Sequence, residues 1–265
     1  MSRAEEARQA GASGLQSGLQ PAYAAARARL GLIAVLLLLA AVGWWWTVRQ
    51  MAGMGSGPWT TLGSFGWFLS AWVVMMAAMM FPSVAPTVAL YSKMSQQPLA
   101  PAVFVAGYLL TWTGAGVVAF VIGLLGPVVV GDLVWERGGR FLTAATLFLA
   151  AVYELTPLKH RCLSKCRSPL GLLLGSWRDG RLGALRMGMR NGAWCVGCCW
   201  ALMAALFALG FMNPLWMVLV AVLIAIEKLL PWRRVATYGV TAVLVMLGVL
   251  VIVAPDMFAG FPMPM

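Results

Sequence analysis

Charge is scarce in this chain. Lys, Arg, Asp and Glu make up 10% of its 265 residues, against about 25% in an ordinary soluble domain. Hydrophobic residues make up 62% and the mean hydropathy is +0.85. Together these exclude a soluble domain with a single anchor and predict a polytopic membrane protein. Other absences narrow the function. There is no Gly-rich phosphate loop, Walker motif or serine-nucleophile motif, which argues against ATP-driven transport by this chain alone and leaves a non-enzymatic role preferred. No C-x-x-C-H is present, so haem attachment is not indicated. No internal repeat is visible. The net charge is +11, but no aromatic-plus-basic surface pattern accompanies it. The charge is therefore read as basic loops that fix topology and touch anionic lipid, with no nucleic-acid partner. Residues 1–29 are Ala-, Arg- and Gln-rich and lack an apolar core close behind the basic start, so they read as a flexible cytoplasmic tail and not a secretory signal.

What the chain has in plenty is long apolar runs. A spanning helix needs about 20 such residues, and seven candidates follow: Leu30–Val48, Phe65–Tyr91, Ala102–Val130, Phe141–Pro157, Ala193–Met212, Leu215–Leu230 and Val235–Val253. The fold class is all-α, a transmembrane bundle over 30–255 with a short Pro/Met-rich tail at 256–265. Pro82 and Pro86 in the second run are expected to kink or break its inner half. The segment 158–190 is expected to be a cytoplasmic loop, its Gly171–Met189 portion amphipathic and lying on the membrane surface. With the N-terminus inside, sixteen of the nineteen Lys and Arg fall on the inner side, and only Arg49, Arg137 and Arg140 on the outer. That asymmetry supports seven spans with a cytoplasmic N-terminus.

The single histidine and all five cysteines lie between Tyr153 and Trp200. They form two clusters: His160, Cys162 and Cys166, then Cys195, Cys198 and Cys199. The first closes one apolar run and the second opens the next, so both fall at the inner face. The cytoplasm is reducing, so metal ligation or thiol redox chemistry fits better than structural disulfides. Cys195, Cys198 and Cys199 sit at i, i+3 and i+4 and share one helix face. Soft donors of this kind select copper(I) or zinc. Met75, Met76, Met79 and Met80 form a helical stripe whose thioethers favour copper(I) if they face the cluster; otherwise they are packing. Glu154 and Glu227 are ionisable groups near inner helix ends, candidates for a supporting or pathway role.

At these residues the chain resembles a bacterial family of predicted metal-binding integral membrane proteins. The resemblance rests on M-M-A-A-M-M-F-P-S-V-A-P (75–86), Y-E-L-T-P-L-K-H-R-C-L-S-K-C (153–166), G-A-W-C-V-G-C-C-W-A-L-M (192–203) and I-E-K-L-L-P-W (226–232). It implies a multi-pass protein of the bacterial inner (plasma) membrane with a cysteine-based metal site. Members often carry His where this chain has Asn191; if that His is a ligand in them, this chain has lost it or Asn191 and water replace it. Three roles are consistent with these residues. One is soft-metal binding in transport, or in delivery between a metal donor and a protein client. Another is thiol–disulfide exchange through Cys195 and Cys198. The last is a structural role with a zinc-ordered loop.

Overall fold

The structure is a computed structural model that describes residues 30–50, 63–95, 97–130, 139–168, 177–210, 213–230 and 232–254, with 171, 173 and 175. The N-terminal tail, the 51–62 linker, the 131–138 loop, most of 169–176 and the C-terminal tail lie outside the described residues. Helices are the regular secondary structure among the described residues, with no strand. The elements are α1 Leu30–Gln50, α2 Phe65–Met94, α3 Ala100–Val130, α4 Gly139–Glu154, α5 Pro157–Cys166, α6 Gly180–Leu209, α7 Pro214–Leu229 and α8 Arg233–Val253. Five of them, α1, α2, α3, α6 and α8, are long and apolar enough to cross a membrane. A sixth span results if α4 and α5, bent by 70° from each other, are one broken crossing. Seven spans were expected; α7, with 16 residues, is shorter than the roughly 17 a span needs.

Two local expectations change. Helix α2 runs unbroken through Pro82 and Pro86. The two prolines are four apart and both exposed, so their rings sit on the outer face and the core-facing side stays continuous. The second change is that the 158–190 segment is not a loop throughout. Residues 157–166 form α5, and α6 begins at Gly180, thirteen residues before the expected start. The cause is a buried stripe of small and apolar residues along the early turns. Gly183, Ala184, Met187, Gly188, Asn191 and Gly192 are all buried, at helical spacing, and continue without a break into Cys195, Cys198 and Cys199.

Helix α6 is the centre of the bundle, packed by α3, α4, α5 and α7. The α3–α6 contact is the most extensive, and glycines make it possible. A Cβ on Gly188 would run into the Phe104 carbonyl, and one on Gly107 into the Leu185 carbonyl. At Gly192 a Cβ would lie 2.8 Å from the Thr111 Cβ. Small residues let apolar helices approach until their backbones touch. Elsewhere Trp72 donates to the Trp112 carbonyl across α2–α3 at 2.8 Å, and Thr143 donates to the Ala208 carbonyl across α4–α6 at 3.0 Å. Helix α1 leans on α2 where Gly43 meets Ala78.

Gly188→Ala forces α3 away from α6 and should lower stability by about 1–3 kcal/mol. Gly114→Ala, where an added Cβ meets nothing within 4 Å, should be neutral or slightly stabilising through helix propensity. Thermal unfolding of the detergent-solubilised chain measures both.

Candidate metal centre

The site is assembled by two helices that approach from different directions. Helix α5 starts at a local signal: the Thr156 hydroxyl accepts from the Lys159 amide at 3.3 Å, and Pro157 occupies the first turn, where a missing N–H costs nothing. Its far end is moored by Arg167, whose guanidinium donates to the Glu227 carbonyl at 3.0 Å and to the Leu230 carbonyl. Cys166 thereby reaches α6. The sulfurs of Cys166, Cys195 and Cys198 all lie within 4.8 Å of one another. Two sulfurs bound to one ion through bonds of about 2.3 Å can be at most about 4.6 Å apart. The three thiols are therefore close to ligating separation without a rearrangement of the helices.

Cys195 is the most heavily contacted donor. Its sulfur lies 3.0 Å from the Tyr108 hydroxyl, 3.1 Å from Lys228 Nζ and 3.8 Å from Met80 Sδ. Lys228 Nζ is also 3.6 Å from Met80 Sδ. An ammonium in this place is a counter-charge for thiolate, the form of cysteine that binds metal. The Cys198 thiol donates to the Cys195 carbonyl at 3.2 Å, and its sulfur is 3.4 Å from that of Cys199. All three α6 cysteines are buried and reduced. The Tyr153 hydroxyl donates to the Gly197 carbonyl at 2.6 Å, and its ring packs edge-on against Trp200. Both contacts tie α4 to the turn that bears the cysteines.

The other sequence-predicted residues divide. Cys162 is buried one turn before Cys166 and packs against Gly197, where a Cβ would come within 2.9 Å of its sulfur; it stands beside the three-sulfur group and not in it. His160 is exposed on α5, outside that group. Asn191 is buried four residues before Cys195. Of the methionine stripe, Met75, Met76 and Met79 are buried in the core, and Met80 is the one with a sulfur contact to the cluster among the described residues.

Glu154 and Glu227 meet at a residue the sequence did not single out. Lys159 is 1% exposed and bridges them, bonding Glu154 Oε2 and lying 2.6 Å from Glu227 Oε2. The remaining oxygens, Glu154 Oε1 and Glu227 Oε1, are buried with no hydrogen-bond partner among the described residues. Lys228 and Tyr108 were missed as well. A readable signal existed for Lys228, which is an ionisable residue inside an apolar run. Tyr108 carried none, because only the folded α3–α6 contact reveals it.

A family model described as PpoB2, copper chaperone, matches residues 69–251. No curated protein and no solved structure matches the chain.

Lys159→Met strands two buried carboxylates without a counter-charge and should destabilise the protein by about 3–5 kcal/mol. Adding Glu154→Gln and Glu227→Gln to that variant should recover most of the loss. Chemical or thermal unfolding of the two variants against the parent tests the pair.

Proposed function

The chain belongs to the PpoB2 family of copper chaperones, and on that premise we propose that it holds copper(I) within a membrane bundle and passes it to a protein client. The observation that carries this reading is the convergence of Cys166 from α5 with Cys195 and Cys198 from α6. Cys166, Cys195 and Cys198 form the principal holding set. Cys199 and Met80 are the nearest additional soft donors, and Cys162 and the exposed His160 stand outside them along α5 as donors for entry or release. The copper ion is cargo, and the donor set fits it: all sulfur, one of them a thioether, which favours copper(I) over zinc. Burial excludes water and oxidant from the α6 thiols, Cys166 being half-buried, and Lys228 offsets part of the negative charge of several thiolates gathered on a monovalent ion. The excess of Lys and Arg on one side of the apolar runs supports a centre near the cytoplasmic face, and a bacterial inner membrane is the setting of this reading. Met75, Met76 and Met79 continue the thioether stripe away from Met80 along α2.

The test is metal content. The purified chain loaded anaerobically with copper(I) should retain about one ion by mass spectrometry, and Cys195→Ser with Cys198→Ser should abolish retention. Absence of copper above background in the parent rejects the reading. Lys228→Met, which removes the ammonium beside Cys195, should weaken copper(I) affinity by about ten- to a hundredfold, measured by competition with a colorimetric chelator. Met80→Leu should weaken copper(I) binding and leave zinc binding unchanged.

A further inference from the structure

Arg178, Arg181, Arg186 and Arg190 sit just before and along the first turns of α6, all exposed. Three of them, Arg178, Arg186 and Arg190, line one cavity of about 330 Å³ together with Met187. Among the described residues none of the three guanidinium groups has an ion-pair or hydrogen-bond partner. Topology alone calls for basic residues beside an apolar span. It does not call for three guanidinium groups around one cavity with no ion-pair partner among the described residues. Arg186 and Arg190 are four apart, where like charges destabilise a helix. An anion between them relieves that repulsion, and a planar guanidinium fork matches phosphate oxygens.

The surroundings indicate which phosphate. Arg178 also lines an adjoining cavity of about 550 Å³ that includes Tyr91, Met94, Trp177 and Asp179, the Asp179 carboxylate being held by the Trp177 Nε1–H at 2.9 Å. The Tyr91 and Trp177 rings lie 5.5 Å apart, and such amphipathic rings settle at headgroup level in a bilayer. On α6 itself Leu182 is 70% exposed and Met189 39% exposed, apolar surface interleaved with the arginines. We propose that Arg178, Arg186 and Arg190 form a binding site for the phosphate of an anionic phospholipid headgroup, with acyl chains against the neighbouring apolar side chains. The site lies at the polar end of α6; Arg190 precedes Cys195 by about 7.5 Å of helix. It stands independently of the metal reading.

The full-length chain in detergent, exchanged with phosphatidylglycerol or phosphatidylcholine, is weighed by native mass spectrometry. Phosphatidylglycerol should be retained in preference to phosphatidylcholine. Retention should fall roughly tenfold or more in R178Q/R186Q/R190Q, partially in each single exchange, and not at all in R49Q, whose guanidinium lies over the Trp45 ring. Millimolar inorganic phosphate should fail to displace the lipid. Equal retention of the two lipids, an equal loss in R49Q, or displacement by inorganic phosphate alone overturns the assignment. An unchanged melting temperature shows that the triple variant is folded, whether or not the parent holds copper.

Discussion

The centre depends on one buried ionic contact, Lys159 between Glu154 and Glu227. Helix α5 is short, polar and bent away from α4, and its own propensity would not hold it in place. Lys159, Cys162 and Cys166 fall at i, i+3 and i+7 and therefore share one face. Anchoring Lys159 sets the rotation of that face, and Cys162, Leu163 and Cys166 are turned towards α6 with it. Burying an ammonium and two carboxylates carries a desolvation penalty of several kcal/mol per ion. The geometry that offsets it specifies where the helix that bears Cys162 and Cys166 sits. A hydrophobic contact of equal strength would hold α5 but leave its rotation less defined.

The end of α7 serves two centres at once. Glu227 and Lys228 are adjacent, so their side chains leave the helix about 100° apart. Glu227 turns to Lys159 and Lys228 to the sulfurs of Cys195 and Met80. The backbone carbonyls of Glu227 and Leu230 accept from Arg167 at the end of α5. A displacement of α7 would therefore loosen the seat of Cys166 and withdraw the charge beside Cys195 together. The glycine seam between α3 and α6 plays the complementary part. By bringing backbones into contact it fixes α6 and carries Tyr108 to Cys195.

Much of this was legible in the residues. The apolar runs marked most helices to within a few positions, and the two cysteine clusters were expected to meet, as Cys166, Cys195 and Cys198 do. What was not legible has physical causes. Four arginines made the first turns of α6 look like surface, yet Gly183, Ala184, Met187 and Gly188 carried a helical stripe beneath them. Pro82 and Pro86 read as a kink or a break, and sequence alone does not show that both face outward on a helix that is not broken there. His160 stood two positions from Cys162, a spacing that places the two on different faces of a helix once α5 is formed. Lys159 was counted as one more basic loop residue, because its partners lie five and sixty-eight positions away and only the fold joins them.

The central claim is that α5 and α6 supply sulfurs to one ion. X-ray absorption at the copper edge of the loaded full-length chain tests it most directly. An all-sulfur shell at about 2.3 Å, losing one sulfur in Cys166→Ser, is the predicted result. A shell of nitrogen or oxygen donors, or a sulfur shell that Cys166→Ser leaves unchanged, would contradict it.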